Sequence, residues 1–186
     1  MSKPIIIISG SPNAASRLNG MIDLVRRELE QSGYPSKTIT VVTLPADDLI
    51  QSRFGSPAIV EANKLVEEAA AVIIASPVYK ASYTGVLKTY LDLLPQKGFE
   101  GKLVLPLFIG GTLAHMLSID YSLKPVLSSM GARHFIRGVY ATDNQINRIQ
   151  SDANETAFDL NEEVTERLQA SVQELVAELQ LRSSVQ

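Results

Sequence analysis

Ile5-Ile6-Ile7-Ile8-Ser9-Gly10-Ser11-Pro12-Asn13-Ala14-Ala15-Ser16-Arg17-Leu18 carries an apolar run into a turn of small and hydroxyl residues, after which Met21, Ile22, Val25 and Leu29 recur at helical spacing. A strand that is apolar without alternation is buried on both faces, the mark of a parallel sheet covered by helices. Gly33 follows as a helix C-terminal cap. The stretch therefore reads as strand, turn and helix, the opening unit of an α/β domain.

Four more apolar runs repeat the pattern. Lys37–Leu44 is rich in β-branched residues, and Ala71–Ser76, Leu103–Ile109 and His134–Val139 complete a set of five strands. Ser56 followed by Pro57 opens a second helix. Thr84–Leu94, Leu113–Met130 and Phe158–Leu181 supply three more, with long connections at Pro45–Gly55 and Thr142–Thr156. Alternation of this kind fits a doubly wound parallel sheet in the order 2-1-3-4-5, in which ligands bind beyond the carboxyl ends of the strands. The length suits a single domain, residues 1–186.

Composition narrows the partners. A net charge of -3 with scattered Lys and Arg gives nucleic acid no basic stripe to bind. With no cysteine, disulfides, thiolate zinc sites and thiol chemistry are excluded. No run approaches the ~18 apolar residues of a membrane span, and Ile5–Ile8 is shorter than a signal core. The expectation is a cytoplasmic protein without membrane contact.

The loops after strands one, three and four carry the chemistry. Ser9 to Leu18 combines small residues, hydroxyls and a helix start, the ingredients of a phosphate cradle. It matches neither G-x-G-x-x-G nor a P-loop, and an ordinary tight turn is the alternative. Ser76-Pro77-Val78-Tyr79-Lys80-Ala81-Ser82-Tyr83-Thr84-Gly85 concentrates turn and aromatic residues that suit a planar heteroaromatic ligand; alternatively, the tyrosines only cover the sheet edge. Gly110-Gly111-Thr112 offers bare backbone to a ligand edge.

In this order, Gly10-Ser11-Pro12 through Ser16, Pro77-Val78-Tyr79-Lys80 with Tyr83, Gly85, Leu87-Lys88 and Leu91-Asp92, and Gly110-Gly111-Thr112 resemble the NAD(P)H-dependent FMN reductase family. Gly110 to Leu127, with Ala114-His115 and Asp120-Tyr121-Ser122-Leu123-Lys124-Pro125, is similar to the subgroup that feeds reduced flavin to two-component alkanesulfonate monooxygenases. The resemblance implies a flavodoxin-like fold, FMN and NADPH or NADH as ligands, and a flavin-dependent monooxygenase as partner. It places the FMN phosphate at Ser11, Asn13, Ser16 and Arg17, with Leu18 at the start of the helix also counted in the cofactor site. The isoalloxazine then lies against Pro77, Val78, Tyr79 and Lys80 and against Gly110, Gly111 and Thr112, with Lys80 near the pyrimidine edge or the incoming nucleotide. Many family members carry Arg where this chain has Asn13, and Arg17 is the cation able to replace it. A flavodoxin-type electron carrier and an FMN-dependent quinone or azo reductase are the alternatives on the same fold.

No Ser-His-Asp setting or metal cluster stands out, and His115 and His134 read as local hydrogen-bonding residues. Lys88 and Asp92, four apart, form a helix pair worth about 0.3 kcal/mol, or a bridge between subunits. The Thr84–Leu94 and Leu113–Met130 segments carry more apolar positions than one sheet face covers, which points to a homo-oligomer, a dimer of dimers. Pro125 within the latter segment crowds the carbonyl of Tyr121, so a bend or a single π-turn is expected there. In the resembling reductases an inserted aromatic at this place accompanies a π-bulge at the subunit interface. Tyr121 is accordingly expected to reach the isoalloxazine of a neighbouring subunit and gate the flavin site, whereas a Pro kink with a buried Tyr is the plain alternative.

Overall fold

A computed structural model describes residues 3–150 and 156–184. β1 (Ile5–Ser9) is wholly buried and lies between β2 (Ser36–Thr40) and β3 (Ala71–Tyr79), parallel to both. β3 pairs in parallel with β5 (Leu103–Gly110) and turns back through the two-residue β4 (Ser82–Tyr83). The far edge of β5 is occupied by β6 (His134–Phe135) and then β7 (Val139–Thr142). Counted by major strands the order is the expected 2-1-3-4-5, a doubly wound flavodoxin-like sheet.

Helices cover both faces. α1 (Leu18–Gln31) and α6 (Glu162–Ser184) pack together on one side, where Leu18, Met21, Val25, Leu168, Val172 and Leu175 are buried against Ile5 and Ile7. The other side holds α2 (Ala46–Ile50), α3 (Pro57–Glu68), α4 (Gly85–Leu91) and α5 (Lys124–Ser129), packed over Ile6, Ile8, Val72 and Ile74. Alternate residues of the continuous apolar strands thus serve two separate cores, which explains why their sequence shows no alternation.

Several expected boundaries are corrected. The second strand ends at Thr40 instead of Leu44: Val41–Thr43 is a 3-10 turn in which Leu44 N–H donates to the Val41 carbonyl and buried Val41 enters the core. The fifth strand is broken in two, because Ile136, Arg137 and Gly138 stand opposite only Leu105 and Pro106. Pro106 has no N–H to give the ladder, and the extra residue makes a bulge. Pro45–Gly55 is not plain loop, since it contains α2.

Thr142–Thr156 is not plain loop either. Thr142 and Gln145 form a reciprocal cap around a 3-10 turn, and β8 (Ile146–Gln150) pairs with β9 (Thr156–Leu160) as an antiparallel hairpin, while 151–155 lie outside the described residues. Phe158–Leu160 is consequently strand and not helix. The last helix begins after Asn161, whose side chain accepts from Val164 N–H at 3.0 Å, a cap placed ahead of Glu162 and Glu163. Gly20 of α1 is where the hairpin docks, and a Cβ there would meet Phe158 Cβ at 2.6 Å.

Leu113–Met130 is not one helix. A 3-10 turn at Leu113–His115 is followed by a π-helical segment at Ile119–Leu123, and only Lys124–Ser129 is α-helical. The expected irregularity at Tyr121 is therefore present as a π-turn centred on it. It lets Pro125 fall in the first turn of α5, where no N–H is required. Lys124 Nζ reaches Asp120 at 2.6 Å and lies 5.5 Å from the Phe135 ring, bracing the segment.

Candidate functional site

The carboxyl ends of β1, β3 and β5 open on one edge of the sheet. After β1, Gly10 N–H donates to the Ala75 carbonyl of β3 at 2.8 Å. A Cβ at Gly10 would stand 2.5 Å from Leu87 Cβ, so only glycine lets α4 pack this close. Thr84 locks the turn from the other side: its hydroxyl donates to the Gly10 carbonyl at 2.6 Å and accepts from Leu87 N–H at 3.1 Å, capping α4. Ser76, fully buried, accepts from Thr84 N–H at 3.0 Å.

Within the first turn the side chains shape the backbone. Ser11 Oγ donates to the Asn13 carbonyl at 3.0 Å, Asn13 Oδ1 accepts from Ala15 N–H at 2.8 Å, and Ser16 Oγ accepts from Leu18 N–H at 3.3 Å. Leu18 itself buries its side chain completely. Arg17 is held by its Nε, which donates to the Ile146 carbonyl at 2.8 Å. Among the described residues the N–H groups of Ser11, Ala14 and Arg17 have no hydrogen-bond partner. Three free donors at a helix start, beside one guanidinium, match the oxygens of a phosphate.

The third-strand loop continues as the β3–β4 hairpin. Pro77 is buried, Val78 half-buried, and Tyr79 is 53% exposed with Lys80 beyond it. Tyr83 is half-buried against the core, and its burial raises the phenol's pKa, with Lys88 opposing and Asp92 adding to the rise. Lys88 pairs with Asp92 at 2.6 Å, both half-exposed, which together with their hydrogen bond holds the ammonium's pKa above its ordinary value.

At the end of β5, Gly110 is covered by Tyr140 of β7. The Tyr140 hydroxyl donates to the Thr112 carbonyl at 2.7 Å, and a Cβ on Gly110 would collide with the hydroxyl oxygen of Tyr140 and sit 3.4 Å from Val78 Cβ. Gly111 and Thr112 are exposed, with Thr112 Oγ1 accepting from Ala114 N–H. Burial, followed by the charge of Asp143, pushes the Tyr140 phenol's pKa up and keeps it a donor. Ser11, Asn13, Ser16 and Arg17 follow β1, Pro77 to Lys80 close β3 and Gly110 to Thr112 close β5, so all three groups stand at one edge of the sheet.

Sequence reasoning missed the residues that tie these loops. Ser76, Thr84, Tyr140 and the Ile146 carbonyl give no local motif, because their partners lie 8, 74, 28 and 129 positions away. His115 is half-buried on its 3-10 turn and His134 exposed in β6. Among the described residues no three His, Cys, Asp or Glu side chains gather as a metal site, and no helix is long and apolar enough to cross a membrane. Tyr121 is 79% exposed, which removes the buried-Tyr alternative for the isolated chain.

Comparison with known proteins agrees with this arrangement. Residues 4–147 match the model of the NADPH-dependent FMN reductase family. The chain is 43% identical to an FMN reductase (NADPH) of Pseudomonas putida KT2440 over 142 residues, covering 76% of this chain and 72% of that protein. An FMN reductase (NADPH) of Escherichia coli K12 is 42% identical, with 76% and 74% covered. Among solved structures, the apo form of an NADH:FMN oxidoreductase, EmoB, superposes with a TM-score of 0.82 at 33% identity, covering 95% of this chain and 89% of that one. A family match spanning the sheet and all three loops, with relatives of this similarity, makes the chain a member of the NADPH-dependent FMN reductase family.

Proposed function

We propose that this NAD(P)H:FMN oxidoreductase treats FMN as a substrate, taking it up, reducing it and releasing it to a flavin-dependent monooxygenase of sulfonate sulfur assimilation. The observation that carries the reading is the joining of the three loops by Thr84, Gly10 and Tyr140 into one rigid edge with free backbone donors at one end and bare glycines at the other. Ser11, Asn13, Ser16 and Arg17, at the start of the helix headed by Leu18, hold the phosphate. Pro77, Val78, Tyr79, Lys80, Gly110, Gly111 and Thr112 frame the isoalloxazine. Bound flavin would supply the redox chemistry, taking reducing equivalents from the nicotinamide nucleotide. The protein's part is to orient the two rings and exclude water, so no acid–base pair is needed.

Release in place of retention is supported by the π-turn. It projects Tyr121 outward beside exposed Leu113, Met116 and Leu117, an apolar surface at the ligand end of the sheet. A homotetramer, a dimer of dimers located in the cytoplasm, buries that surface and brings Tyr121 to a neighbouring flavin site. The test is steady-state oxidation of NADPH and NADH with and without added FMN, and with a quinone as acceptor. Turnover that requires free FMN is expected. A tightly yellow protein inert to both nucleotides points instead to an electron carrier, and quinone reduction without added FMN to a quinone reductase.

A further inference from the structure

The β3–β4 hairpin closes through a two-residue turn: Tyr79 pairs with Ser82, so Lys80 and Ala81 are its central residues, with φ of 52° and 63°. A turn with left-handed backbone at both central positions is ordinarily filled by Asn-Gly or Gly-Gly. Lys and Ala each bring a Cβ that crowds the neighbouring carbonyl in that region. Ser52 is the one other non-glycine residue with positive φ among the described residues, so the strain gathers at this turn. Among the described residues no side-chain hydrogen bond of Lys80 or Ala81 offsets it. Both side chains are exposed, and Lys80 makes no ion pair among the described residues.

The hairpin's base, in contrast, is fixed by the Ser76–Thr84 and Thr84–Gly10 hydrogen bonds. Its tip projects beyond the level at which β1 ends: Ser9 aligns with Ala75, and Lys80 lies five residues further, roughly 16 Å along an extended strand. Strain kept in an exposed turn, on a rigid base, at a ligand-binding edge marks a functional constraint.

We propose that the Lys80–Ala81 turn is a second anion site of the enzyme and that the Lys80 ammonium takes a phosphate of the nicotinamide nucleotide. The inference rests on the reading of this sheet edge as the site of flavin reduction. A lysine ammonium is a point charge with three donors, suited to phosphate without requiring a fixed planar geometry. With the flavin phosphate served by the other loop, the remaining phosphates are the pyrophosphate common to NADH and NADPH and the 2′-phosphate of NADPH.

The double variant Lys80→Asn/Ala81→Gly keeps the turn, relieves the strain and removes the charge. Its ligand-free Tm is expected to rise by roughly 3 °C, while the Kd for NADP⁺ by calorimetry and the KM for NADPH rise roughly tenfold. Dependence of NADPH binding on salt should flatten, since the screened charge is gone. Lys80→Gln, which keeps the strained backbone, should weaken NADP⁺ equally with no gain in Tm. Parallel titration with NAD⁺ separates the sources: weakening of NADP⁺ alone assigns Lys80 to the 2′-phosphate, and equal weakening of both assigns it to the pyrophosphate. Unchanged binding of both nucleotides in either variant overturns the proposal, as does a fall in Tm of the double variant. Failure of the wild-type protein to oxidise nucleotide with FMN would strike the reductase reading, and the calorimetry would still decide the role of Lys80.

Discussion

Gly110 and Tyr140 show how single atoms hold the site's shape. The Tyr140 hydroxyl fills the space where any Cβ on Gly110 would go and uses that position to anchor the Thr112 carbonyl. Gly110→Ala must push the hydroxyl aside, and overpacking of this kind is expected to cost about 1–2 kcal/mol. Tyr140→Phe loses one hydrogen bond, about 1 kcal/mol. In the double variant the nearest ring carbon is 3.3 Å from the new methyl, tight yet without the oxygen in its way. The penalty of Gly110→Ala should then shrink to under about 0.5 kcal/mol in the Tyr140→Phe background, a non-additivity typical of direct contact. Urea denaturation of the four proteins measures it, and simple additivity would show that the clash lies elsewhere. Both single variants should also weaken FMN binding, because the Gly110–Thr112 backbone loses its anchor.

At the scale of elements, what was legible in the sequence was whatever is encoded locally. The continuous apolar runs gave five strands and their parallel arrangement, and Ser56-Pro57 marked the start of α3. Pro125 alone located the irregularity at Tyr121. The bulge opposite Pro106 and the β8–β9 hairpin were not legible, because each depends on a neighbour distant in sequence: β5 in one case, Gly20 of α1 in the other. The three site loops were readable from composition, while the cross-loop hydrogen bonds of Ser76, Thr84 and Tyr140 were not. The π-turn makes its own prediction. Tyr121→Ala removes a side chain 79% exposed in the single chain, and surface changes usually move stability by within about 0.5 kcal/mol. FMN dissociation, followed by stopped-flow fluorescence, should nonetheless change several-fold, and the solution mass by light scattering should be that of a tetramer in the wild type. Normal flavin exchange in a variant that unfolds easily, or a monomeric wild type, would remove Tyr121 from the flavin site.

At the scale of the whole molecule, the core beneath α2 to α5 contains phenols whose ionisation is coupled to folding. Tyr90 is fully buried in α4 with its hydroxyl unpartnered among the described residues, and burial raises its pKa far above the ordinary value; Tyr83 and Tyr140 are raised as well. The sign follows from which state holds the protons. Below about pH 10 both the folded and unfolded chains keep these phenols protonated, so stability does not depend on them. Above about pH 10 the unfolded chain releases protons that the folded chain retains, so the unfolded state gains and stability falls as pH rises toward the folded pKa values. Denaturation midpoints at pH 8, roughly 10 and 11 should therefore decline at constant m, with phenolate absorbance appearing together with unfolding. Tyr90→Phe separates this from general alkaline repulsion. It removes the most strongly shifted group and should flatten the decline, and because it also removes an unpaired buried hydroxyl it should stabilise the protein at neutral pH, by up to about 1 kcal/mol. A variant less stable at neutral pH would mean that the Tyr90 hydroxyl has a hydrogen-bond partner in the folded protein.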